Sequence, residues 1–218
     1  MVHHDGDRRA FRHPHEPLGS VSLLQKLAPP RSCATVTRVR QILSELGPVA
    51  LGPFRRADFD DIHAFASDPK VCRHQPWGPN TPEDTDTFLD HVLSADDEQR
   101  QLAVLSEERV IGTAAIWTTS TRDRVGEIGY LLHPEYWGRG YATLIAAELV
   151  RLAFQDLGLE RVAATCRPEN IASIRVLEKV GFQREGHLRG AVLIRGERQD
   201  SLVFGQLATD AQAHGSQH

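Results

Sequence analysis

Two glycines, Gly138 and Gly140, flank Arg139 immediately before a long amphipathic stretch, and this arrangement strongly constrains the fold. Residues 125–132 before them have the character of a strand, and the apolar residues of 141–156 after them have helical spacing. Glycine in a helix costs about 1 kcal/mol relative to alanine, so two glycines at its start indicate a backbone conformation that other residues resist. The loop between strand and helix is therefore either a tight turn or a loop whose exposed N–H groups bind phosphate.

Apolar periodicity elsewhere places this unit in a longer alternation of strands and helices. Strands are predicted at 49–54, 101–106, 109–117, 125–132, 161–166, 183–195 and 199–207. Helices are predicted at 56–66, 81–93, 141–156 and 170–180, with a short additional helix within 35–48 and an irregular loop at 68–80. The order of strand, two helices, three strands, helix, strand, helix and two strands predicts an α+β domain with a mixed sheet and one βαβ crossover.

The composition argues against several classes of function. A formal net charge of -4 gives no basic excess for binding nucleic acid. No run of about 18 apolar residues is present, so no membrane association through a spanning helix is expected, and the first residues lack the apolar core of a signal peptide. Cys33, Cys72 and Cys166 are odd in number and have no metal-type spacing, which favours reduced thiols and a cytoplasmic protein.

Both ends of the chain are polar and are expected to lie outside the folded domain, which is predicted to occupy residues 49–207. Residues 1–34 predict a flexible N-terminal extension, and residues 208–218 predict a flexible tail. The extension contains four histidines, His3, His4, His13 and His15. No carboxylate or thiolate framework accompanies them, so a solvated arm is expected rather than a metal site.

The glycine loop does not match the two best-known phosphate loops. The P-loop pattern G-x-x-x-x-G-K-[ST] is absent, and residues 138–143 read G-R-G-Y-A-T, not the dinucleotide pattern G-x-G-x-x-G. What remains is a strand, a loop carrying Arg139, and a helix N-terminus. Together these offer free N–H groups, a helix dipole and a cation to a diphosphate, but a plain tight turn fits the residues equally well.

Two longer segments resemble a known enzyme family. They are GEIGYLLHPEYWGRGYATLIAAELVRLAF and LERVAATCRPENIASIRVLEKVGFQREG, and they are similar to the GNAT acetyltransferases, in particular the branch that includes the ribosomal-protein N-terminal alanine and serine acetyltransferases. The resemblance covers residues 49–207 and implies the GNAT fold, with a mostly antiparallel central sheet around a βαβ core that binds coenzyme A. It also implies acetyl-CoA as cosubstrate, no metal, and an amine acceptor, with the chain acting as a monomer or homodimer.

The resemblance assigns the coenzyme site residue by residue. The family's loop pattern, Gln/Arg-x-x-Gly-x-Gly/Ala, falls on residues 137–142 and departs from it in having Trp137 at the first position. A backbone N–H near Leu131 or Leu132 is expected to face the thioester carbonyl, Asn170 to hold the pantetheine arm, and Ser173 to lie near the sulfur. The complete implied set is Leu131, Leu132, Trp137, Gly138, Arg139, Gly140, Tyr141, Ala142, Thr143, Asn170 and Ser173.

Glu127 is the leading candidate for the general base that accepts the amine proton, directly or through water, and Ser173 for the hydroxyl that assists the thiol. As an alternative, Glu127 is a strand-edge carboxylate facing solvent. Tyr130 and His133 are further base candidates on the same strand and its exit, although a tyrosine there is more often a packed aromatic and a histidine before Pro134 more often a turn residue.

The acceptor side is expected to be built from residues 68–93 and 188–200. Trp77 is a candidate apolar wall or a core residue, and Asp200 and Glu197 are candidates for ammonium recognition or members of a solvated hairpin. The sequence thus predicts acetylation of the α-amino group of a protein or peptide. The alternatives are acetylation of a small amine, such as an antibiotic or polyamine, or a regulatory module that binds acetyl-CoA without turnover.

Overall fold

A computed structural model describes residues 40–94 and 99–210, which contain one eight-stranded sheet. The strands are β1 Ser44–Glu45, β2 Ala50–Gly52, β3 Gln99–Ser106, β4 Arg109–Ser120, β5 Val125–Leu132, β6 Arg161–Cys166, β7 Gln183–Ile194 and β8 Glu197–Leu207. The helices are α1 Phe59–Ala66, α2 Pro69–Cys72, α3 Pro82–Ser94, α4 Tyr141–Arg151 and α5 Ile171–Lys179. The strand order is β1-β2-β3-β4-β5-β6-β8-β7, and every pair is antiparallel except β5–β6. The predicted mixed, mostly antiparallel α+β architecture is confirmed.

Each face of the sheet is covered by its own set of helices. Successive strand residues point to opposite faces, so both faces present apolar side chains for helices to cover. On one face, Ile145 and Leu149 of α4 and Leu177 of α5 pack in a core cluster with Val162 of β6. On the other face, a second cluster forms around α1 and α3 and contains Ile62, Phe65, Phe88 and Leu89. The residues of β5 and β6 that point away from α4 and α5, such as Glu127 and Thr165, lie on this second face. Neither side chain is fully buried there.

The parallel strands β5 and β6 separate part of the way along their length. Their ladder holds only from Val125↔Arg161 to Glu127↔Ala163. Beyond that point β6 stays paired with β8, through Cys166↔Leu202, and β5 stays paired with β4, through Gly112↔Leu132. Residues 128–132 and 164–166 therefore border a V-shaped opening in the middle of the sheet.

The helix predicted within 35–48 is wrong over residues 40–48, and residues 35–39 lie outside the described part. The segment is extended and adds an edge strand: Leu43 N–H donates to Leu51 O at 2.8 Å, and Leu46 N–H donates to Val49 O at 2.8 Å. Pairing with a neighbouring strand outweighs the weak helical spacing of a short segment, which on its own forms a helix only marginally. The proposed extension 1–34 also lies outside the described residues.

Two smaller differences concern a loop and the tail. The predicted irregular loop contains the short helix α2, where Asp68 caps the start by accepting from Lys70 N–H at 2.7 Å. Residues 208–210, assigned to the flexible tail, form a helical turn that Ala208 N–H anchors to Glu160 O at 3.0 Å. The rest of the tail, 211–218, lies outside the described residues. Neither contact could be predicted from apolar periodicity. The first is a local side-chain cap, and the second joins backbone groups that are far apart in the sequence.

Candidate active site

The loop between β5 and α4 is held against the end of β5 by its own side chains. His133 caps a single helical turn, with its Nδ1 accepting from Glu135 N–H at 3.2 Å. Trp137 donates from its indole Nε1 to Leu132 O at 2.8 Å. The tryptophan that departs from the family pattern therefore ties the loop to the strand, and this anchoring role was not visible in the sequence.

Gly138 and Gly140 both adopt left-handed backbone conformations, with φ of 74° and 81°. A Cβ atom at either position would meet no protein atom within 4 Å, so packing does not require glycine there. The positive φ accounts for both glycines, since side chains disfavour it, and the empty space beside them leaves the main chain open to a ligand.

The loop presents a run of unused donors. Within the described residues, the backbone N–H groups of 138–142 donate no hydrogen bond to the protein, as expected where a helix begins. Arg139 is exposed, and its guanidinium lies over the Tyr136 ring, 5.2 Å from the centroid. Free N–H groups, a helix N-terminus and a cation together suit a diphosphate. Tyr141, Ala142 and Thr143 form the first turn of α4 beside them.

The backbone of β5 distinguishes the two leucines proposed to face a thioester. His133 N–H donates to Ile111 O at 2.7 Å, toward β4. Because N–H groups alternate between the two sides of a strand, Leu131 N–H points to β4 as well, and Leu132 N–H points to the side where β5 and β6 have separated. Of the two candidates, Leu132 therefore carries the available donor.

Helix α5 brings a hydroxyl pair to the same opening. Asn170 is its N-cap, with Oδ1 accepting from Ser173 N–H at 3.2 Å. The Tyr130 hydroxyl lies 3.1 Å from Ser173 Oγ. Burial raises the pKa of Tyr130 to about 12; the hydrogen bond with Ser173 acts in the opposite direction, and the nearby Cys166 adds to the rise. Tyr130 therefore remains protonated at neutral pH and can donate to Ser173.

Glu127 lies at the point where the β5–β6 ladder ends, opposite Ala163. Its Oε1 accepts from Thr165 Oγ1 at 3.2 Å, and the side chain is half-buried. The carboxylate is thus held at the base of the opening, on the face that α1 and α3 cover.

The two segments predicted to form the acceptor side are in contact. Arg195, at the tip of the β7–β8 hairpin, donates to Cys72 O at 3.0 Å and to Gly78 O at 3.1 Å. Trp77 is half-buried and packs on the second core cluster, as its core role predicts; its role as a wall for the acceptor stays a prediction.

Asp200 is occupied by the hairpin itself. Its Oδ1 accepts from Gly190 N–H at 2.8 Å, and its Oδ2 lies 2.6 Å from His187 Nε2. The Gly190 N–H bond, followed by the His187 bond, lowers the pKa of Asp200. Both oxygens stabilise a bulge in β7, so the structure places this residue in the hairpin and gives no contact that singles it out for an ammonium group. Glu197 begins β8 and is exposed.

Arg167, just past the end of β6, is a residue that the sequence reasoning missed. It is only 6% exposed. Its Nη2 donates to Ser201 Oγ at 3.0 Å, whereas its Nη1 is buried and has no partner among the described residues. The sequence feature that could have identified Arg167 is its position two residues after Thr165, which places it on the face of the sheet that carries Glu127.

Within residues 40–94 and 99–210, no group of three or more His, Cys, Asp or Glu side chains is arranged to hold a metal ion. Over the same ranges, no helix combines the length and the apolar character needed to cross a membrane. The four histidines of the N-terminal extension lie outside these ranges.

The split parallel strand pair lies beside the loop of free N–H groups, and the two together form the candidate site. Residues 49–183 match the acetyltransferase (GNAT) domain. The chain belongs to the GNAT family of N-acetyltransferases. Acetyl-CoA is the cosubstrate of this family, and the exposed amides of 138–142 fit its diphosphate.

Relatives agree with this assignment. The uncharacterized N-acetyltransferase YnaD of Bacillus subtilis is 30% identical over 151 residues, covering 69% of this chain and 88% of YnaD. A GNAT-family acetyltransferase structure from Bacillus anthracis is 28% identical with a TM-score of 0.68, covering 76% of this chain and 97% of that one.

Two further relatives have names that specify different acceptors. The spermidine N(1)-acetyltransferase of Escherichia coli K12 is 26% identical over 157 residues, covering 71% of this chain and 83% of the enzyme. The structure of a ribosomal-protein-S5-alanine acetyltransferase from Vibrio fischeri is 25% identical with a TM-score of 0.64, covering 77% of this chain and 97% of that one. The acceptor of this chain therefore has to be argued from its own residues.

Proposed function

We propose that this enzyme transfers the acetyl group of acetyl-CoA to the α-amino group of a protein or peptide. The observation that carries the proposal is the position of Glu127 at the base of the strand opening, with Leu132 N–H and the Tyr130–Ser173 hydroxyl pair along the same opening. These groups are the base, the carbonyl donor and the thiol-side donor that acetyl transfer to an amine requires.

Binding of the cosubstrate is assigned to the loop and the two flanking elements. The N–H groups of 138–142, with Arg139, hold the diphosphate, and Trp137 keeps that loop at the end of β5. Asn170 orders the start of α5 and leaves its amide nitrogen for the pantetheine arm. When bound, acetyl-CoA supplies the activated acetyl group; the protein supplies alignment and hydrogen bonds.

Proton movements are assigned to Glu127 and Ser173. Glu127 accepts the amine proton directly or through one water, and an α-amino group with a pKa near 7.7–8.0 requires only a modest base. Leu132 N–H donates to the carbonyl oxygen as negative charge develops there. Tyr130 donates to Ser173 Oγ, which directs the serine proton toward the departing sulfur, whose free thiol has a pKa near 8.5.

The second candidate function is acetylation of a small amine. It is favoured by the name of the spermidine N(1)-acetyltransferase relative, whose identity to this chain is similar to that of the S5-alanine enzyme. A primary alkylamine resembles lysine, with a pKa near 10.4, and loses its proton much less readily at neutral pH. For that acceptor, Glu127 would have to work against a far larger fraction of protonated amine.

Release of free coenzyme A thiol, measured with a panel of acceptors, tests the proposal. Peptides beginning with Ala, Ser or Met are expected to give the highest kcat/KM, above aminoglycosides and polyamines. A preference for spermidine would transfer the assignment to the second candidate. Binding of acetyl-CoA without thiol release from any acceptor would contradict both candidates.

A further inference from the structure

Arg167 is a buried cation whose hydrogen bonding is incomplete. Among the described residues its side chain has one partner, the hydroxyl of Ser201, and forms no ion pair with a carboxylate. Asp200, the carboxylate of the adjacent strand β8, has both oxygens engaged by Gly190 N–H and His187. A guanidinium carries five N–H donors, and a buried charge left without partners is destabilising. Such a buried, unsatisfied donor requires an explanation, and binding of a ligand is one that can be tested.

Arg167 lies on the face of the sheet that carries the proposed base. Val162, Ala164 and Cys166 point into the α4–α5 core, so the alternating residues belong to the opposite face. Thr165, which contacts Glu127, is one of these, and Arg167 is the next, about 7 Å further along the chain direction. Arg167 and Glu127 therefore lie on the same face of the sheet, on opposite sides of the opening between β5 and β6.

The elements around Arg167 are those of the acceptor side. Ser201 belongs to β8 of the hairpin, and Arg195 at the hairpin tip fastens it to the 72–78 loop. The same loop carries His74, whose pKa is lowered by burial and then by the positive charges of Arg73 and Arg167, with Glu169 opposing them. Arg167 is thus enclosed between the hairpin and the loop rather than facing bulk solvent.

We propose that Arg167 Nη1 binds the oxygen of a carbonyl or carboxylate group next to the acceptor amine. Resting on the acetyl transfer proposed above, this makes the acceptor an α-amino carbonyl compound, either the first residue of a peptide or a free amino acid. In such a compound one carbon separates the amine, which approaches Glu127, from the group that approaches Arg167. A polyamine offers no oxygen and brings a second positive charge toward a buried cation.

Binding can be measured without turnover by titrating acceptors into the protein saturated with coenzyme A. The probes are alanylalanine, free alanine, and isopropylamine, which has a methyl group in place of the carboxylate. Calorimetry is expected to show that Arg167→Met weakens alanylalanine at least tenfold, with isopropylamine changing less than twofold. Arg167→Lys, which keeps a cation, should retain part of the affinity. Arg122 is an exposed arginine between β4 and β5, and Arg122→Met is the matched control. It should change the affinity for neither alanylalanine nor isopropylamine.

The thermal stability of the same variants separates binding from folding. Replacing an unpaired buried charge by an apolar side chain of similar length should leave Tm unchanged or raise it. A lower Tm with unchanged alanylalanine binding would show that Arg167 is structural and would overturn the inference. Equal losses of affinity for alanylalanine and isopropylamine in Arg167→Met would overturn the inference as well.

Activity assays keep this inference distinct from the proposed function. In the wild-type enzyme, kcat/KM for alanylalanine relative to isopropylamine should be high, and the ratio should fall at least tenfold in Arg167→Met. Comparing ratios cancels the difference in amine pKa.

Tighter binding of alanylalanine than of alanine assigns the oxygen to a peptide carbonyl, and the reverse assigns it to a free carboxylate. Selective binding without acetylation would reject the proposed function and retain the role of Arg167, whereas acetylation of isopropylamine as efficient as that of alanylalanine would do the opposite.

Discussion

The two parts of the molecule that we assign to coenzyme A and to the acceptor, called here the coenzyme side and the acceptor side, are built in different ways. On the coenzyme side, a single stretch, residues 137–143, supplies open backbone N–H groups and an exposed arginine. On the acceptor side, the loop around Cys72–Gly78, the end of β6 and the β7–β8 hairpin are distant in sequence and meet through side chains such as Arg195 and Arg167.

The difference shows how each side obtains specificity. A phosphate is recognised by main-chain donors, which need only the correct backbone conformation, so a local motif suffices. An amine acceptor is recognised by side chains that must be brought together by tertiary structure. Changes on the two sides should therefore separate into effects on acetyl-CoA affinity and effects on acceptor use.

The largest effect is expected at Glu127, where the two sides meet. Glu127→Gln should lower kcat about a hundredfold, because loss of a general base typically costs between a hundredfold and ten-thousandfold. The acidic limb of the pH–rate profile should flatten, and the acetyl-CoA Kd should not change. Steady-state kinetics across pH test this, and an unaltered profile would assign the base role to His133 or water.

Ser173 should give the next largest effect. Ser173→Ala should lower kcat ten- to a hundredfold with little change in Tm, because the lost interaction forms mainly in the transition state. Tyr130→Phe should also reduce kcat, since it removes the hydroxyl that shares a hydrogen bond with Ser173 Oγ.

Asn170→Ala is the contrasting variant, and it should cost about 1 kcal/mol of stability through the lost N-cap. Thermal unfolding and kinetics on the three variants separate the roles. Full activity of Ser173→Ala with normal acetyl-CoA binding would remove the serine from the mechanism.

Gly140→Val should raise the acetyl-CoA Kd at least tenfold, which corresponds to about 1.4 kcal/mol. Gly158 provides a matched control, because it also has positive φ, at 64°, and also has no atom within 4 Å of a Cβ. Both valine variants should lose similar stability from backbone strain, but only Gly140→Val should weaken acetyl-CoA. Equal affinities by calorimetry would contradict the assignment of the loop to the diphosphate.

The smallest effect concerns the anchoring of α4, which carries the loop at its N-terminus. The hydrogen bond from Arg151 lowers the pKa of Glu148, with burial opposing it and Ser44 reinforcing it. A lowered folded-state pKa gives stability that is present above the unfolded pKa of about 4.3 and is lost as pH falls through the folded-state pKa.

Glu148→Gln should therefore lower stability by about 0.3–0.5 kcal/mol at pH 7 and by nothing measurable at strongly acidic pH. Glu178→Gln, on the exposed side of α5, is the control for removing a carboxylate from a helix surface. A Tm difference that persists at acidic pH would show that the contribution of Glu148 is not electrostatic.

Most of the fold could be predicted from periodicity, whereas much of the acceptor side could not. The strands around 125–132 and 161–166 and the helix after Gly140 have strong local signals that match their packing. The edge strand β1 was predicted as helix because its structure depends on pairing with β2, and α2 was hidden by the prolines around it. Arg167 was missed since burial of one arginine and its missing partner are properties of the assembled molecule.

The order of the strands has a consequence for biosynthesis. β8 follows β7 in the chain but lies between β6 and β7, so the last strand of the described residues to be made is an interior strand of the sheet. Residues 164–166 of β6 have no neighbouring strand until β8 arrives, because β5 has already separated from them. Domains generally fold as units during synthesis, and non-local strand pairing is slow. The strand pairing on one side of the candidate active site is therefore completed only after residue 207 has emerged.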